Sequence, residues 1–266
     1  MRLEERLLIP LDPAYPVGLL ALPHPPPLFC QGDLRPDDVL RGVAVVGTRT
    51  PSPAGLRQAR ELADRLARGG VTVISGLARG IDTAAHEACL DAGGRSVAVL
   101  GCGLGHVYPP ENAILADRIA THGALLSQLP RDQPPSAGAL RRRNAVIAGI
   151  ARLTVVVEAG PTSGARIAAR LALTGGRPLL LPASLVAGQG WARDLLRHPG
   201  AEVVDDEELA SASLAHLDRP DAGGSPWMRA PAPAPAPAPA SPKPRGPCGP
   251  VQRGPLQLTL SWDGER

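Results

Sequence analysis

Short apolar runs recur along this chain and constrain its fold more than any other feature. From residue 43 they read VAVVG, VTVIS, SVAVL, ALLSQ, LTVVVEAG and RPLLLP, and they recur about every 25–30 residues. Runs that are apolar at every position are typical of parallel strands buried on both faces. The stretch between the first two runs has helical spacing before a Gly-Gly stop, at Leu56, Ala59, Leu62, Ala63 and Leu66. Alternating strands and helices predict an α/β fold with an open, doubly wound, mostly parallel sheet.

The texture of the sequence divides the chain into three parts. Residues 1–40 are proline-rich and predict an extended lead-in segment, and residues 41–210 form the core. Residues 211–266 contain RAPAPAPAPAPASPKPRGP, which cannot form a helix or a sheet ladder and predicts a polyproline spacer. The last residues include LQLTLSW, which has the alternation of a single strand. We expect this Pro-Ala-rich tail to be disordered, with a strand lent to a partner as the alternative.

Composition excludes several classes of protein. The formal charge of +3 is too small to indicate a nucleic-acid binder by itself, so any basic surface must be local. The four cysteines are far apart, which favours reduced thiols over a disulfide framework or a zinc site. The N-terminus lacks the apolar run of a signal peptide, and no stretch approaches the ~18 apolar residues of a membrane span. We therefore expect a cytoplasmic protein that does not contact the membrane.

Familiar cofactor and metal motifs are also missing from the sequence. GCGLGHVYPPEN follows the third run without the G-x-G-x-x-G spacing of a dinucleotide site, and no G-x-x-x-x-G-K-[ST] phosphate loop is present. His86 lies beside Glu87 without the second histidine of a zinc-protease motif, so helix packing is the favoured interpretation. The prediction is a protein with no cofactor and no metal.

Two loops after predicted strands have the residues of an anion site. Ligands of open parallel sheets bind beyond the carboxyl ends of the strands, where helix N-termini present free N–H groups. Glycine lets a phosphate approach closely, arginine supplies charge-assisted bonds, and Asp82 could cap the second helix. The candidate residues of these loops are Gly47, Thr48, Arg49, Ser75, Gly76, Arg79 and Gly80. The alternative is that the glycines only form tight turns and that the arginines are solvated.

Two further segments extend this candidate site. Arg141, Arg142 and Arg143 come just before an apolar helix face, and positive charge at a helix start opposes the helix dipole unless a polyanion lies alongside. Asn144 adds a side-chain amide that is suited to bridging a phosphate or a base. After the fifth strand the candidates are Ser163, Gly164 and Arg166. A solvated charged face and a simple Ser-Gly helix cap are the alternatives.

Taken together, these segments resemble the DNA-processing protein A family, also called DprA or Smf. The matching segments are VAVVGTR, VISGLARGIDTAAHEACLDAGG, SVAVLGCGLGHVYPPEN, LLSQLP, RRRNAVIAGIA and VVVEAGPTSGARIAARLALTGGRPLLLP. The resemblance implies an extended Rossmann-like domain that binds single-stranded DNA without base specificity, usually as a homodimer, and that helps to load RecA during uptake of transforming DNA. By position it carries the family's Gly-Ser-Arg arginine to Arg49 and its Arg-Asn pair to Arg143 and Asn144.

The sequence departs from the family pattern at several points. Leu140 and Arg141 stand where the family has Phe-Pro before its Arg-Asn pair, and Ala165 and Arg166 follow Ser163-Gly164 where the family has Ser-Leu. The family's N-terminal helical and C-terminal winged-helix domains are not visible.

With 2% aromatic residues, base stacking cannot be the main source of affinity, so phosphate contacts must be. Two rival functions remain open, a small-nucleotide sensor and an enzyme similar to nucleotide phosphoribohydrolases. The Pro-Gly-Gly-x-Gly-Thr run that is typical of the phosphoribohydrolases is absent from this sequence.

Overall fold

The computed structural model describes residues 4–22 and 24–219, which form one nine-stranded sheet with helices on both faces. The strands are β1 (Glu5–Leu8), β2 (Leu28–Gly32), β3 (Gly42–Val46), β4 (Thr72–Ser75), β5 (Ser96–Leu100), β6 (Gly123–Ser127), β7 (Leu153–Val156), β8 (Leu179–Pro182) and β9 (Ala201–Val204). The helices are α1 (Pro36–Leu40), α2 (Pro53–Arg68), α3 (Ile81–Asp91), α4 (Ala113–His122), α5 (Ala137–Ile150), α6 (Ala165–Thr174), α7 (Ala183–Gly188), α8 (Gly190–Leu195) and α9 (Leu209–Asp218).

Strands β3 to β9 are all parallel, which confirms the predicted doubly wound sheet. The order across the sheet is β1-β2-β6-β5-β4-β3-β7-β8-β9. The chain winds outward from β3 through β4, β5 and β6, then returns to pair β7 with the other side of β3. The strand order therefore reverses between β3 and β7. Open α/β sheets bind ligands beyond the carboxyl ends of the strands at such a switch point.

Two strands of the sheet come from the proline-rich lead-in. Strand β2 pairs antiparallel with β6 and places Phe29 opposite Ser127, and β1 pairs antiparallel with β2. Leu8, Leu28 and Cys30 from these strands are fully buried in the core. The sequence predicted only an extended segment here, because strands of four or five residues next to prolines lack a recognisable pattern.

The core is divided between the two faces of the sheet. On one face α5 and α6 pack through residues such as Ile147 and Leu173. On the other face α2, α3 and α9 pack through residues such as Leu62 and Leu217. The apolar stripe predicted for α2 is buried except at its first position, Leu56, which is half-buried.

The last described helix passes the point at which the sequence predicted the regular structure to end. Helix α9 spans Leu209–Asp218 and buries Leu209, Ala210 and Leu217, so residues 211–218 are helical rather than part of a linker. The Pro-Ala-rich tail predicted to be disordered lies beyond residue 219, outside the described residues. No helix within the described ranges is long and apolar enough to cross a membrane.

Candidate nucleic-acid interface

An open cavity of about 550 Å³, here called the switch-point cavity, lies beyond the carboxyl ends of β3 and β7. The loop after β3, the loop after β7 and one face of α5 form its walls. The predicted site residues that line it are Gly47, Thr48, Arg49, Arg141, Arg143, Asn144, Ser163 and Gly164. Residues that are as much as 117 positions apart in the sequence are therefore brought to one cavity.

Glycines let the loops after β3 and β4 pack directly on each other. A Cβ atom at Gly47 would overlap the Ile81 side chain at the start of α3. Gly80 has a φ of 80° and would place a Cβ against the Thr48 carbonyl. The Ile81 N–H donates to that carbonyl at 3.2 Å. This packing leaves Arg49 exposed at the mouth of the cavity, with no ion pair to any described residue.

Asp82 holds the loop after β4 from the inside. The predicted cap role is wrong in detail, because Gly80 occupies the N-cap position and Asp82 is the second residue of α3. The Asp82 carboxylate instead accepts the N–H groups of Gly76 at 3.2 Å and Ala78 at 3.4 Å. Burial raises the pKa of Asp82, an effect that the Arg143 guanidinium and these N–H donors oppose. The Asp82 side chain is only 7% exposed, so it offers little surface to a ligand in the cavity that it lines.

Arg143 is the buried partner of this carboxylate. Its Nη2 lies 3.8 Å from Asp82 Oδ2, and its Nη1 donates to the Val99 carbonyl at 2.9 Å. A Cβ at Gly76 would overlap the guanidinium, which shows how closely Arg143 packs against that glycine. Burial lowers the pKa of Arg143, and the negative charge of Asp82 acts in the opposite direction. Arg143 lines the cavity but is 5% exposed, and it joins the ends of β4 and β5 to α5.

The arginine run lies inside helix α5 rather than at its start. The helix begins at Ala137, and the Ser136 hydroxyl caps it by accepting the Ala139 N–H at 3.2 Å. The predicted conflict with the helix dipole is therefore wrong, because dipole effects fade within the first turn. Arg141 is exposed and lines the cavity, whereas Arg142 is exposed but is not among the lining residues.

Asn144 and Ser163 organise the loop after β7. Asn144 is 8% exposed and its Nδ2 donates to the Gly164 carbonyl at 3.2 Å, which ties α5 to the start of α6. The Ser163 hydroxyl accepts the Ala165 N–H at 3.3 Å, one residue before the N-cap position at Gly164. Both side chains thus stabilise the cavity wall.

Three predicted residues do not present a free group at the cavity. Ser75 is fully buried and its hydroxyl donates to the Val45 carbonyl at 2.6 Å. Arg166 donates to the Pro161 carbonyl, and its guanidinium lies 5.4 Å from the centre of the Trp191 ring. Arg79 is exposed beside the cavity and forms an ion pair with Glu111.

The sequence did not reveal the part played by Glu158, which lies two residues after the end of β7. Its carboxylate accepts the Ser52 N–H at 3.1 Å and the Ser52 hydroxyl at 2.8 Å, at the N-terminus of α2. The N-terminus of α2, which is the positive end of its helix dipole, is thus already paired with a negative side chain. A second cavity of about 620 Å³ lies next to Glu158 and includes Glu61, Asp206 and Glu207. Its carboxylates make it unsuitable for a polyanion.

Comparison with known proteins identifies the family. A family model described as DNA recombination-mediator protein A matches residues 6–213. The chain belongs to this family. Protein Smf of Synechocystis is 41% identical over 223 residues, covering 82% of this chain and 56% of that protein. DNA processing protein DprA of Bacillus subtilis is 38% identical over 173 residues, covering 64% and 58%. The chain thus spans a little over half the length of these curated relatives.

Solved structures of the family share the fold. DNA processing protein A of Helicobacter pylori, whose single-stranded DNA binding mode has been described, matches with a TM-score of 0.69 and 27% identity. That match covers 81% of this chain and 99% of the Helicobacter chain. The Streptococcus pneumoniae protein matches with a TM-score of 0.69 and 33% identity, over 79% of this chain and 74% of that one. The resemblance and the Rossmann-like fold predicted from the sequence are therefore confirmed.

Proposed function

We propose that this chain binds single-stranded DNA through the sugar–phosphate backbone, without reading the base sequence, at the switch-point cavity. The observation that carries the proposal is the convergence of the loops after β3 and β7 with the Arg141 face of α5 on one open cavity. Arg49 and Arg141 are exposed there and have no ion pair with any described residue. Membership of a family that contains the single-stranded DNA-binding Helicobacter protein supports this assignment.

The charge distribution favours a polyanion. Asp82, the carboxylate that lines the switch-point cavity, is buried against Arg143 and the N–H groups of its own loop, so it offers little repulsion to a phosphate. Contact with about four to six phosphates would give a log–log salt slope near −3 to −4, since each phosphate of a single strand contributes about −0.7.

The same contacts argue against the enzyme alternative. A carboxylate can act as general acid or base only if it reaches the substrate, and the sequence offers Asp82 and Glu158 as carboxylates near the strand ends. Asp82 is buried, and both carboxylate oxygens of Glu158 are engaged by Ser52. We therefore propose a binding protein rather than a nucleotide hydrolase. No contact in the described residues favours a small-nucleotide sensor over a longer strand.

The proposal is tested by fluorescence anisotropy with labelled oligothymidylates of increasing length, beside thymidine monophosphate, at two salt concentrations. We expect affinity to rise with length and to fall with salt. Arg49→Ala should weaken binding by about 1 kcal/mol, roughly fivefold, and reduce the salt slope by about 0.7. The matched control is Arg68→Ala, an exposed arginine at the far end of α2, roughly 22 Å along the helix from its start.

Two results would contradict the proposal. One is tight binding of the mononucleotide with no gain for longer strands, which would favour the sensor. The other is an equal loss of affinity in Arg49→Ala and Arg68→Ala, which would remove the site from the switch-point cavity.

The finer expectations about partners belong to this proposal and rest on the family resemblance. We propose that the protein is cytoplasmic, forms a homodimer and helps to load RecA on DNA. Sedimentation analysis tests the dimer, and a strand-exchange assay on protein-coated single strands tests the loading of RecA. A monomer at micromolar concentration, or strand exchange that the protein does not stimulate, would contradict the respective part.

A further inference from the structure

An exposed aromatic side chain lies beside the candidate DNA site, in the segment Tyr108-Pro-Pro-Glu-Asn112. We infer that Tyr108 is a stacking surface for one base of the bound strand and that this contact contributes to a preference for single-stranded over double-stranded DNA. The inference rests on the proposed function, to which it adds a contact with a base.

Tyr108 is distinguished from the other described aromatic residues by its exposure. It is 37% exposed, whereas Tyr15 is 6% exposed and its hydroxyl donates to the Pro26 carbonyl at 2.7 Å. Phe29 is half-buried in strand β2, and Trp191 is half-buried with Arg166 over its ring. The Tyr108 hydroxyl forms no hydrogen bond with a described residue. Its ring is therefore the aromatic surface available to a ligand in the described part of the chain.

The position of Tyr108 is determined by the residues that follow it. Asn112 is 6% exposed, and its Nδ2 donates to the Leu77 carbonyl at 3.0 Å and to the Thr83 hydroxyl at 2.8 Å. Glu111 forms the ion pair with Arg79. Both contacts attach the 108–112 segment to the loop between β4 and α3. The Tyr-Pro-x-x-Asn spacing thus has a physical reason, since the asparagine fixes the tyrosine beside the loop that carries Arg79.

The surroundings of the ring combine apolar and cationic groups. Tyr108 lines a narrow crevice with Pro109, Leu140 and the arginines Arg49 and Arg79. Arg49 and Leu140 also line the switch-point cavity, so the crevice and the cavity adjoin. The crevice measures about 20 Å³, which is far too small for a base. In this arrangement a base stacks on the exposed side of the ring. The phosphates of the same strand then reach the guanidinium groups of Arg49 and Arg79.

Stacking of this kind discriminates between single and double strands. The faces of bases in a duplex are covered by their neighbours, whereas a single strand can turn a base toward an aromatic ring. Base–aromatic stacks measured by alanine substitution correspond to roughly 5- to 150-fold in affinity. One such contact is consistent with a chain whose binding is otherwise dominated by phosphate.

The test compares full-length wild type with Tyr108→Ala and Tyr108→Phe on three ligands of equal length. These are oligothymidylate, an abasic deoxyribose–phosphate strand and a duplex. Tyr108→Ala should lose roughly 5- to 150-fold in affinity for oligothymidylate, and its affinity for the abasic strand and for the duplex should change little. Tyr108→Phe should retain the wild-type affinities. Arg49→Ala is the matched phosphate variant and should weaken binding of the oligothymidylate and of the abasic strand alike.

The outcomes separate this inference from the proposed function. Unchanged affinity of Tyr108→Ala for oligothymidylate, or an equal loss on the abasic strand, would overturn the stacking role while leaving phosphate binding intact. If wild type binds neither strand, the proposed function fails and the stacking role fails with it. Tyr108→Leu, which keeps apolar bulk without a ring, replaces the alanine variant if that variant does not fold, and it should show the same selective loss.

Discussion

The buried pair of Arg143 and Asp82 allows the sharpest test of how the site is built. Replacing Arg143 by methionine keeps an unbranched apolar side chain about as far as the Nε position but removes the guanidinium. The hydrogen bond to the Val99 carbonyl is lost, and a bond to a charged group contributes about 1.5–3 kcal/mol. Asp82 is then left buried without its opposite charge. Breaking a buried pair at one partner costs about 3–5 kcal/mol, and we expect a loss of stability in this range for Arg143→Met.

Urea unfolding at 25 °C measures this loss. Such a cost is a large fraction of the roughly 5–15 kcal/mol that stabilises an ordinary domain. The double variant Arg143→Met/Asp82→Asn should be less destabilised than the sum of the two single variants, because it removes the uncompensated charge. Arg49→Ala is the matched control for loss of an arginine, and we expect a change within about 0.5 kcal/mol because Arg49 is exposed.

The refuting result is equally specific. If Arg143→Met unfolds at the same urea concentration as Arg49→Ala, the guanidinium is not part of the internal support of the site. A variant that loses DNA affinity while keeping full stability would instead place Arg143 among the direct DNA contacts, as the sequence predicted.

Three further substitutions test other parts of the same architecture. Burial lowers the pKa of His86 to about 3, whereas an unfolded histidine titrates near 6.5, so the unfolded chain takes up the proton first and stability falls as the pH is lowered between these values. Urea unfolding should show that the free energy of unfolding falls by about 2 kcal/mol from pH 7.5 to pH 5, and that His86→Gln abolishes this fall. If the variant keeps the pH dependence of the wild type, His86 is not its cause. Glu158→Ala removes the carboxylate that binds Ser52 and should lower stability by about 1–2 kcal/mol in thermal unfolding, a result contradicted by a wild-type melting temperature. Gly76→Ala places a methyl group against the Arg143 guanidinium and should cost at least about 1–3 kcal/mol in urea unfolding, so a neutral effect would show that the loop relaxes freely.

The fold and the place where the candidate site residues meet could be predicted from the sequence because both depend on local patterns. Runs that are apolar throughout, such as Val43–Val46, indicate strands covered on both faces. Parallel strands bring their carboxyl ends to one edge, so the residues after the strands meet there. The convergence of Arg49, Ser163 and Gly164 on one cavity follows from these two facts.

The roles of individual arginines could not be predicted in the same way, because they depend on where a helix begins and which face it buries. Arg143 lies three and four residues before Val146 and Ile147, which are buried, so it shares their face of α5. Arg141 and Arg142 lie on the exposed side. This periodicity was visible in the sequence, but an expected helix start near Arg141 obscured it. The strands β1 and β2 were missed because strands of four or five residues next to prolines lack a recognisable pattern, and because β2 joins the sheet through β6, which is distant in the sequence.

The structure separates arginines that build the cavity from arginines that can bind a ligand. Arg143 and Arg166 are held by internal partners, a buried carboxylate in one case and a carbonyl and an indole ring in the other. Their contacts keep the loops after β4 and β7 in place, so the ordering entropy of these loops does not have to be lost when a strand binds. Arg49 and Arg141 remain exposed on this rigid base. Positive charge at the cavity is therefore supplied by few groups in fixed positions, so the proposed polyanion site needs no larger formal charge than the +3 of the whole chain.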